Sequence, residues 1–384
     1  MRQMILVVGP RQVGKTTLCT ELVPDHNYFN WDNQDHRKLI IDGPRRVGEV
    51  SGLYQLQEKR QVVIFDEVHK YSKWKEFLKG FFDVYSSQAK IIVTGSSRLN
   101  VFKRGGDSLM GRYFLYHLCP LSIREVMEIP LSEDEIQYPN PIDQQAFDAL
   151  YMYGGFPEPF LKANKRFSNR WKRLREQQLF IEDIRDLTRV QEIHQIGMLA
   201  EILKHQTGQL VNYTSLAKKV RVSVDTIRRW IKILESLYYC FTIQPWSRNV
   251  TRSLLKQPKV YLWDWSLISD LGAKSENFVA SHLLKAIYWW TDNGFGDYGL
   301  YFLRDKAKRE VDFLVTRNKD PWFLIEVKAD RNKSLSKSLV YFQKQIRSPH
   351  AFQASFSMEY VDVDCFSTNQ PVIVPVKTLL SQLI

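Results

Sequence analysis

Five short apolar runs punctuate the first third of the chain: Met4 to Val8, Tyr28 to Trp31, Val62 to Phe65, Ile91 to Val93 and Tyr113 to Leu118. They are continuous rather than alternating, as in strands buried on both faces, and the stretches between them are long enough for helical crossovers. The pattern predicts a doubly wound α/β sheet of about five strands. Past Pro120-Leu121-Ser122-Ile123-Arg124-Glu125 it changes. An acidic, proline-containing stretch from Ser132 to Asp143 reads as a linker, and Gly154-Gly155-Phe156-Pro157-Glu158-Pro159 marks a turn between helical segments.

Between Val211 and Gln244 the spacing is that of a helix-turn-helix. Thr214 can cap a short helix through Lys219, a tight turn follows at Val220-Arg221-Val222, and Ser223 caps a second helix through about Leu237. Ile227, Trp230, Ile231, Leu234 and Leu237 recur at helical period as a buried stripe, and Tyr238 to Ile243 reads as the first strand of a wing. In the last third the period falls to two. Glu310 to Val315 and Phe323 to Lys328 read as strands joined by a short turn, with Ile325 and Val327 facing a core and Glu326 and Lys328 sharing the other face. The expected division is 1–125, 126–250 and 251–384.

Composition narrows the classes. With 384 residues, 44% of them hydrophobic, the chain can bury two or three cores of ordinary size. Its 54 Lys plus Arg against 42 Asp plus Glu leave a formal charge of +12, which favours a polyanionic partner. Cys19, Cys119, Cys240 and Cys365 are far apart and show no metal-ligand spacing, so they read as reduced core thiols of a cytoplasmic protein. No apolar run approaches the roughly 18 residues of a membrane span.

Candidate chemistry begins at Gly9-Pro10-Arg11-Gln12-Val13-Gly14-Lys15-Thr16, a complete Walker A loop directly after the first apolar run. Gly9 and Gly14 permit the tight turn from strand to helix, and backbone N–H groups there surround the phosphates of ATP. Lys15 adds a point charge to those phosphates, Thr16 can ligate Mg²⁺, and Thr17 completes the loop. About fifty residues on, Gln61 to Phe65 ends in Asp66 and Glu67, a Walker B pair at the spacing a P-loop NTPase accepts. Asp66 would hold the metal through its water shell, and Glu67 would orient the attacking water. Ser96, after the fourth run, is the candidate γ-phosphate sensor, with a plain strand exit as the alternative. Arg112 or Arg104, on a glycine-bearing basic loop, is placed to serve a neighbouring subunit as an arginine finger or to remain a solvated loop cation.

Further on, Arg228, Arg229 and Lys232 project from the second helix of the helix-turn-helix and suit DNA phosphates. The helix carrying Lys165, Arg166, Arg170, Lys172, Arg173 and Arg175 reads as a solvated basic face that would track phosphates beside a DNA site. In the last third, Asp312 and Glu326 are hard oxygen ligands for Mg²⁺ or Mn²⁺, Glu276 completes the set through a metal-bound water, and Lys328 positions or helps deprotonate the attacking water. Solvated charges on edge strands are the competing reading.

On Gly9 to Thr17, Asp66-Glu67-Val68-His69, Thr94-Gly95-Ser96-Ser97, Ser108 to Arg112, Pro120-Leu121-Ser122, Gly154 to Glu158, Glu276-Asn277-Phe278-Val279, Glu310-Val311-Asp312-Phe313 and Ile325-Glu326-Val327-Lys328, the chain resembles a known family over nearly its full length. These are the prokaryotic AAA+-type ATPases that join a P-loop domain to a C-terminal domain of unknown function with a restriction-endonuclease-like fold. The resemblance implies an ASCE-type ATPase core, a winged helix and a PD-(D/E)xK-like fold. Family members carry an extra basic helical segment before the first strand, whereas here the first run begins at Met4. A shortened start is therefore one expectation, and adenine recognition is the property it touches. Two functions are compatible with these residues. One is an oligomeric ATPase, a hexamer among the compatible sizes, that remodels or translocates DNA, with or without metal-dependent cutting. The other is a regulatory nucleotide switch whose C-terminal domain is a non-catalytic binding module.

Overall fold

The structure, a computed structural model, describes residues 2–55, 58–95, 109–130, 133–180, 184, 190–247, 257–329 and 334–384. Two compact units divide the chain, Met1–Cys119 and Pro120–Ile384.

In the first unit the five apolar runs form β1 (Met4–Val8), β2 (His26–Asn30), β3 (Gln61–Asp66), β4 (Ala89–Gly95) and β5 (Tyr113–His117). All pair in parallel, in the order β2-β3-β4-β1-β5. Both faces are covered, which explains the unbroken apolar runs. Met4, Leu6 and Val8 join Val63 and Phe65 in one core, against which the helix Trp74–Tyr85 lays Phe77, Leu78, Phe81 and Phe82. Val7, Val62 and Ile64 pack on the other face with Cys19, from the helix Lys15–Glu21. Each such aromatic contributes roughly 1.5–3 kcal/mol by leaving water. Parallel register brings the strand ends to one edge, where Asn30 lies opposite Asp66 and Asp66 opposite Thr94.

The second unit opens with helices and closes with a sheet. Its strands are β6 (Cys240–Pro245), β7 (Lys259–Leu262), β8 (Tyr298–Arg304), β9 (Glu310–Arg317), β10 (Asp320–Lys328), β11 (His350–Ser355) and β12 (Val372–Pro375), in the order β12-β11-β10-β9-β8-β6-β7. The helix-turn-helix consists of Tyr213–Val220 and Val224–Ser236, with Arg221 in the left-handed region at the turn and Ser223 accepting from the Thr226 N–H. Asn212, not Thr214, caps the first of these helices, because the helix starts two residues earlier than a Thr214 cap would place it and the Asn212 side chain reaches the Ser215 N–H. The run expected to begin a wing is β6. It pairs antiparallel with β7 and also parallel with β8, so the hairpin is built into the sheet.

Two other expectations change. Residues 133–143 are strapped down, not a free linker: Gln137 N–H donates to the Gln382 carbonyl at 2.7 Å, Trp290 Nε1 donates to the Glu135 carbonyl at 2.7 Å, and Asn140 N–H donates to Ser381 Oγ at 3.2 Å. These bonds join positions so far apart in sequence that local composition carries no trace of them. On β10, Leu324, Ile325 and Glu326 are buried and Lys328 is half-buried, and the strand lies inside the sheet between β9 and β11, which counts against the competing reading of solvated charges on an edge strand. The four cysteines are free and buried.

The glycine pair at 154–155 ends the helix Gln144–Tyr153, and Pro157 opens the helix Pro157–Lys162. Gly154 has φ +89°, and a Cβ on Gly155 would stand 2.7 Å from the Leu121 carbonyl oxygen and 2.6 Å from the Trp265 ring. Gly155→Ala should therefore cost roughly 1–3 kcal/mol, read as a lower urea midpoint at unchanged slope. An unaltered midpoint would show that the backbone relaxes freely around this turn.

Candidate functional site

At the carboxyl edge of the first sheet, Gly9 leaves β1 so close to Leu118 that a Cβ would stand 2.0 Å from the Leu118 carbonyl oxygen. The loop turns through Gln12 and Gly14, both at positive φ, into the helix Lys15–Glu21. Lys15 is buried, and its Nζ donates to the carbonyls of Gly9 at 3.0 Å and Pro10 at 2.7 Å. Burial, opposed by Glu67 and Asp66, lowers its ammonium to about 8.

Asp66 ends β3 and receives three hydroxyl donors. Thr16 Oγ1 reaches Oδ2 at 2.9 Å, Tyr28 OH reaches Oδ2 at 2.6 Å, and Thr94 Oγ1 bonds Oδ1. Burial, followed by the hydrogen bond to Asp66, pushes the Tyr28 phenol well above its ordinary range. Tyr28 and Thr94 were given no role from the sequence; the register sets Thr94 opposite Asp66, whereas Tyr28, opposite Ile64, reaches Asp66 with its phenol from two residues back on β2. Their only signal was a polar residue inside or at the end of an apolar run. The oxygen set of Thr16 and Asp66 suits a hard cation such as Mg²⁺.

Glu67 stands in the left-handed region with φ 56°, its carboxylate 3.3 Å from Lys70 Nζ, which also bonds Asp32 at 2.6 Å. Arg112 grips Asp83 with two donors, Nε to Oδ1 at 2.8 Å and Nη2 to Oδ2 at 3.3 Å, and this guanidinium lowers the Asp83 carboxyl. Ser96 and Arg104 lie outside the described residues.

In the second unit, Glu276 on the helix Leu271–Asp292, Asp312 on β9, and Glu326 and Lys328 on β10 do converge, together with Glu310, Lys259 and Tyr261, which sequence reasoning missed. Lys259 Nζ lies 2.7 Å from Glu310 Oε1, 3.0 Å from Glu276 Oε1 and 3.8 Å from Asp312 Oδ1. Tyr261 OH donates to Glu276 Oε1 at 2.6 Å, Lys328 Nζ to Glu326 Oε1 at 2.8 Å, and the Val327 N–H to Asp312 Oδ2 at 2.8 Å. Burial, then the Asp312 charge, pushes Glu276 and Glu326 each up to about 7, and burial raises Asp312 as well. Glu276, Asp312 and Glu310 outweigh burial at Lys259 and hold it above its usual value.

This arrangement does not fit Mg²⁺ or Mn²⁺. An ammonium already lies between Glu276 and Asp312, and among the described residues no three His, Cys, Asp or Glu side chains are grouped to hold a metal ion. Glu326 Oε2 is buried without a hydrogen-bond partner, but it is closed to solvent.

Two of the three cations on the helix Val224–Ser236 have partners within the chain. The Arg228 guanidinium lies 4.2 Å from the centre of the Tyr213 ring, and Arg229 bonds both oxygens of Glu192 at 3.1 and 3.2 Å. The helix Lys165–Gln178 sorts its cations by face. Arg175 turns inward to Asp264 and the Phe156 ring, and Lys172 donates to the Ser266 carbonyl, whereas Lys165, Arg166, Arg170 and Arg173 are exposed.

Residues 1–127 match the model of an AAA domain, residues 271–379 that of a domain of unknown function, DUF4143, and residues 144–277 that of another, DUF8612. The chain carries an N-terminal AAA domain and a C-terminal DUF4143 domain. Uncharacterized proteins of Mycobacterium bovis and Mycobacterium tuberculosis are each 23% identical over 354 residues, which is 88% of this chain and 72% of theirs. An uncharacterized protein of Methanocaldococcus jannaschii is 23% identical over 292 residues, 67% of this chain and 60% of its own length. A solved structure titled as that of C. elegans PCH-2 shares 13% identity at a TM-score of 0.24, covering 62% of this chain and 60% of that one, a similarity too low to carry an argument. Among the described residues, no helix is long and apolar enough to cross a membrane.

The AAA domain's Lys15 sets a pH dependence. With its ammonium lowered to about 8 in the free protein, the charge that meets phosphate is present below that pH and is lost above it. Above pH 8 a proton must be taken up on binding, so apparent ATP affinity should fall by up to roughly tenfold per pH unit between about 8 and 10. Equilibrium binding at pH 7, 8, 9 and 10 measures this. A flat profile would mean that Lys15 keeps its proton throughout.

Proposed function

We propose that the chain is an ATP-hydrolysing protein that binds DNA and remodels or translocates it, with an ASCE-type P-loop core and a winged-helix-like module in its second unit. The observation that carries the ATPase reading is the convergence of Thr16, Tyr28 and Thr94 on Asp66, next to a buried Lys15 that donates to two neutral carbonyls. Mg²⁺, when bound, would neutralise charge developing on the phosphate, and Thr16 and Asp66 are the residues that would hold it. Lys15 exchanges the Gly9 and Pro10 carbonyls for phosphate oxygens, and Gly9, Gly14 and Thr17 supply loop backbone. Glu67 leaves Lys70 to orient the attacking water. Arg112 acts as a finger on a neighbouring copy in a homo-oligomer after releasing Asp83. Ser96 senses the γ-phosphate. A cytoplasmic location accords with this reading.

For DNA, the outward face of Lys165–Gln178 is the better phosphate track. Its four exposed cations have no ion-pair partner among the described residues, whereas Arg228 and Arg229 must share themselves with Tyr213 and Glu192. Arg228, Arg229 and Lys232 add contacts in the same reading. The charge bonding at Lys259 favours the second reading for the DUF4143 region: a PD-(D/E)xK-like fold retained as a binding module, without cutting.

Two experiments test this. Lys15→Ala should abolish ATP binding, while Glu67→Gln should keep binding and lower turnover by 10²-fold or more, since Lys15 contacts phosphate in the ground state and Glu67 acts on water. Wild-type turnover in Glu67→Gln would remove Glu67 from the chemistry. For DNA, replacing Lys165, Arg166, Arg170 and Arg173 with Ala should weaken binding and flatten the slope of log affinity against log salt by roughly 0.9 for each phosphate no longer neutralised. The triple change at Arg228, Arg229 and Lys232 should flatten it less. The opposite ranking moves the phosphate track to the helix-turn-helix, and a wild-type chain that binds no DNA ends the DNA reading.

A further inference from the structure

The acid cluster of the second unit is built around a residue that no motif contains. Lys259 lies on β7, and its side chain is only 4% exposed. Its ammonium has three N–H donors, and three carboxylates surround it: Glu310 and Glu276 at hydrogen-bonding distance and Asp312 just beyond. The Phe302 ring lies 5.6 Å from the same nitrogen. Glu276 is closed in from another side as well. Tyr261 OH occupies its Oε1, and Gly208, at φ +78°, packs so near that a Cβ there would stand 3.2 Å from Oε2. A divalent cation between Glu276 and Asp312 needs about six oxygens, several of them water, at about 2.1 Å. Here the Lys259 ammonium and the Tyr261 phenol already bond the Glu276 oxygen that such a cation would need.

We propose that Lys259 is the resident cation of this cluster, standing where a divalent ion would otherwise bridge Glu276 and Asp312, and that the cluster is a metal-independent joint between the helix-turn-helix and the sheet. The backbone around Lys259 is where those two parts meet. Gly208 N–H donates to the Val260 carbonyl and Val211 N–H to the Pro258 carbonyl just before the first helix of the pair, and β6, directly after the second helix, sets Ile243 opposite Lys259. From that position the side chain reaches Glu276 on the long helix and Glu310 and Asp312 on β9. A single buried ammonium thereby ties the strand that receives the helix-turn-helix to the two elements behind it. The joint stands on this geometry alone and does not depend on DNA binding.

The test is thermal unfolding of the full chain without nucleotide, in EDTA and in millimolar Mn²⁺. The wild type should unfold at the same temperature in both. Lys259→Met keeps the length of the side chain and removes the charge, leaving the carboxylates uncompensated, so its Tm in EDTA should fall by roughly 10 °C. Mn²⁺ should restore part of that stability by entering the vacated position, and adding Asp312→Asn should remove the restoration. Lys259→Arg, which keeps a cation, should unfold near the wild type and ignore Mn²⁺, and this holds the proposal to account should Lys259→Met fail to fold. A wild-type chain stabilised by Mn²⁺ in a manner abolished by Asp312→Asn would overturn the proposal, as would a Lys259→Met chain as stable as wild type in EDTA.

Discussion

A carboxylate buried at the end of a strand costs several kcal/mol unless donors or cations converge on it, and both units of this chain are organised around that requirement. In the first unit the parallel register is the means. Because β2, β3 and β4 run the same way and stay in step, Asp66 lies opposite Thr94, the Tyr28 side chain reaches it from within β2, and the loop after β1 delivers Thr16 to the same carboxylate. Shifting any of these strands by one residue would turn its donor to the opposite face. The apolar packing of Phe65, Phe77 and Phe81 that fixes the register is therefore a condition for the chemistry at the edge.

The second unit meets the requirement with a lysine, and comparing it with the buried lysine of the first unit separates the two sites. Lys15 and Lys259 are both almost completely buried. Lys15 rests on two neutral carbonyls, which cannot offset its desolvation, so its proton is held loosely and its charge is poised for a stronger partner such as phosphate. Lys259 rests on carboxylates that more than offset the same desolvation, so its proton is held tightly and its charge is already matched. One arrangement is set up to receive an anion; the other is complete.

Short-range signals were legible in the sequence and long-range ones were not. Continuous apolar runs announced a buried parallel sheet, and the Walker residues announced its edge, because each rests on residues adjacent along the chain. The cap at Ser223 and the left-handed turn at Arg221 were likewise local. Asn212 was missed because two plausible capping residues stood two positions apart, and only the actual start of the helix decides between them. Glu276, Asp312, Glu326 and Lys328 were picked out and do converge, yet their meaning turned on Lys259, a lone cation in a short strand that pattern alone reads as an edge charge. The strapping of residues 133–143 onto Trp290 of the helix Leu271–Asp292 and onto Ser381 of the helix Val376–Ser381 escaped for the same reason, since these partners lie more than 150 residues away.

Within the AAA domain, the two charges that would act on a phosphate transfer are both held by partners of their own unit: Glu67 by Lys70, and Arg112 by Asp83. Neither tie is deep. Arg112 and Asp83 meet at the surface, where water and salt screen the pair, and Lys70 divides its charge between Glu67 and Asp32. Release should therefore cost less than breaking the donor set on Asp66, which is itself buried and is held by three hydroxyls, one of them on fully buried Thr94. The carboxyl edge thus combines the fixed donor set on Asp66 with Glu67, whose present partner is easily exchanged, whereas Arg112 stands just before β5 at the amino edge of the same sheet, with its carbonyl accepting from the Met4 N–H. Under the proposed roles, a nucleotide bound by this chain would offer Glu67 its water, and one bound by a neighbouring copy would offer Arg112 its anion. Under the roles proposed for Glu67 and Arg112, these resting pairs would hold both groups back until a phosphate, and for Arg112 a neighbouring copy, competes for them.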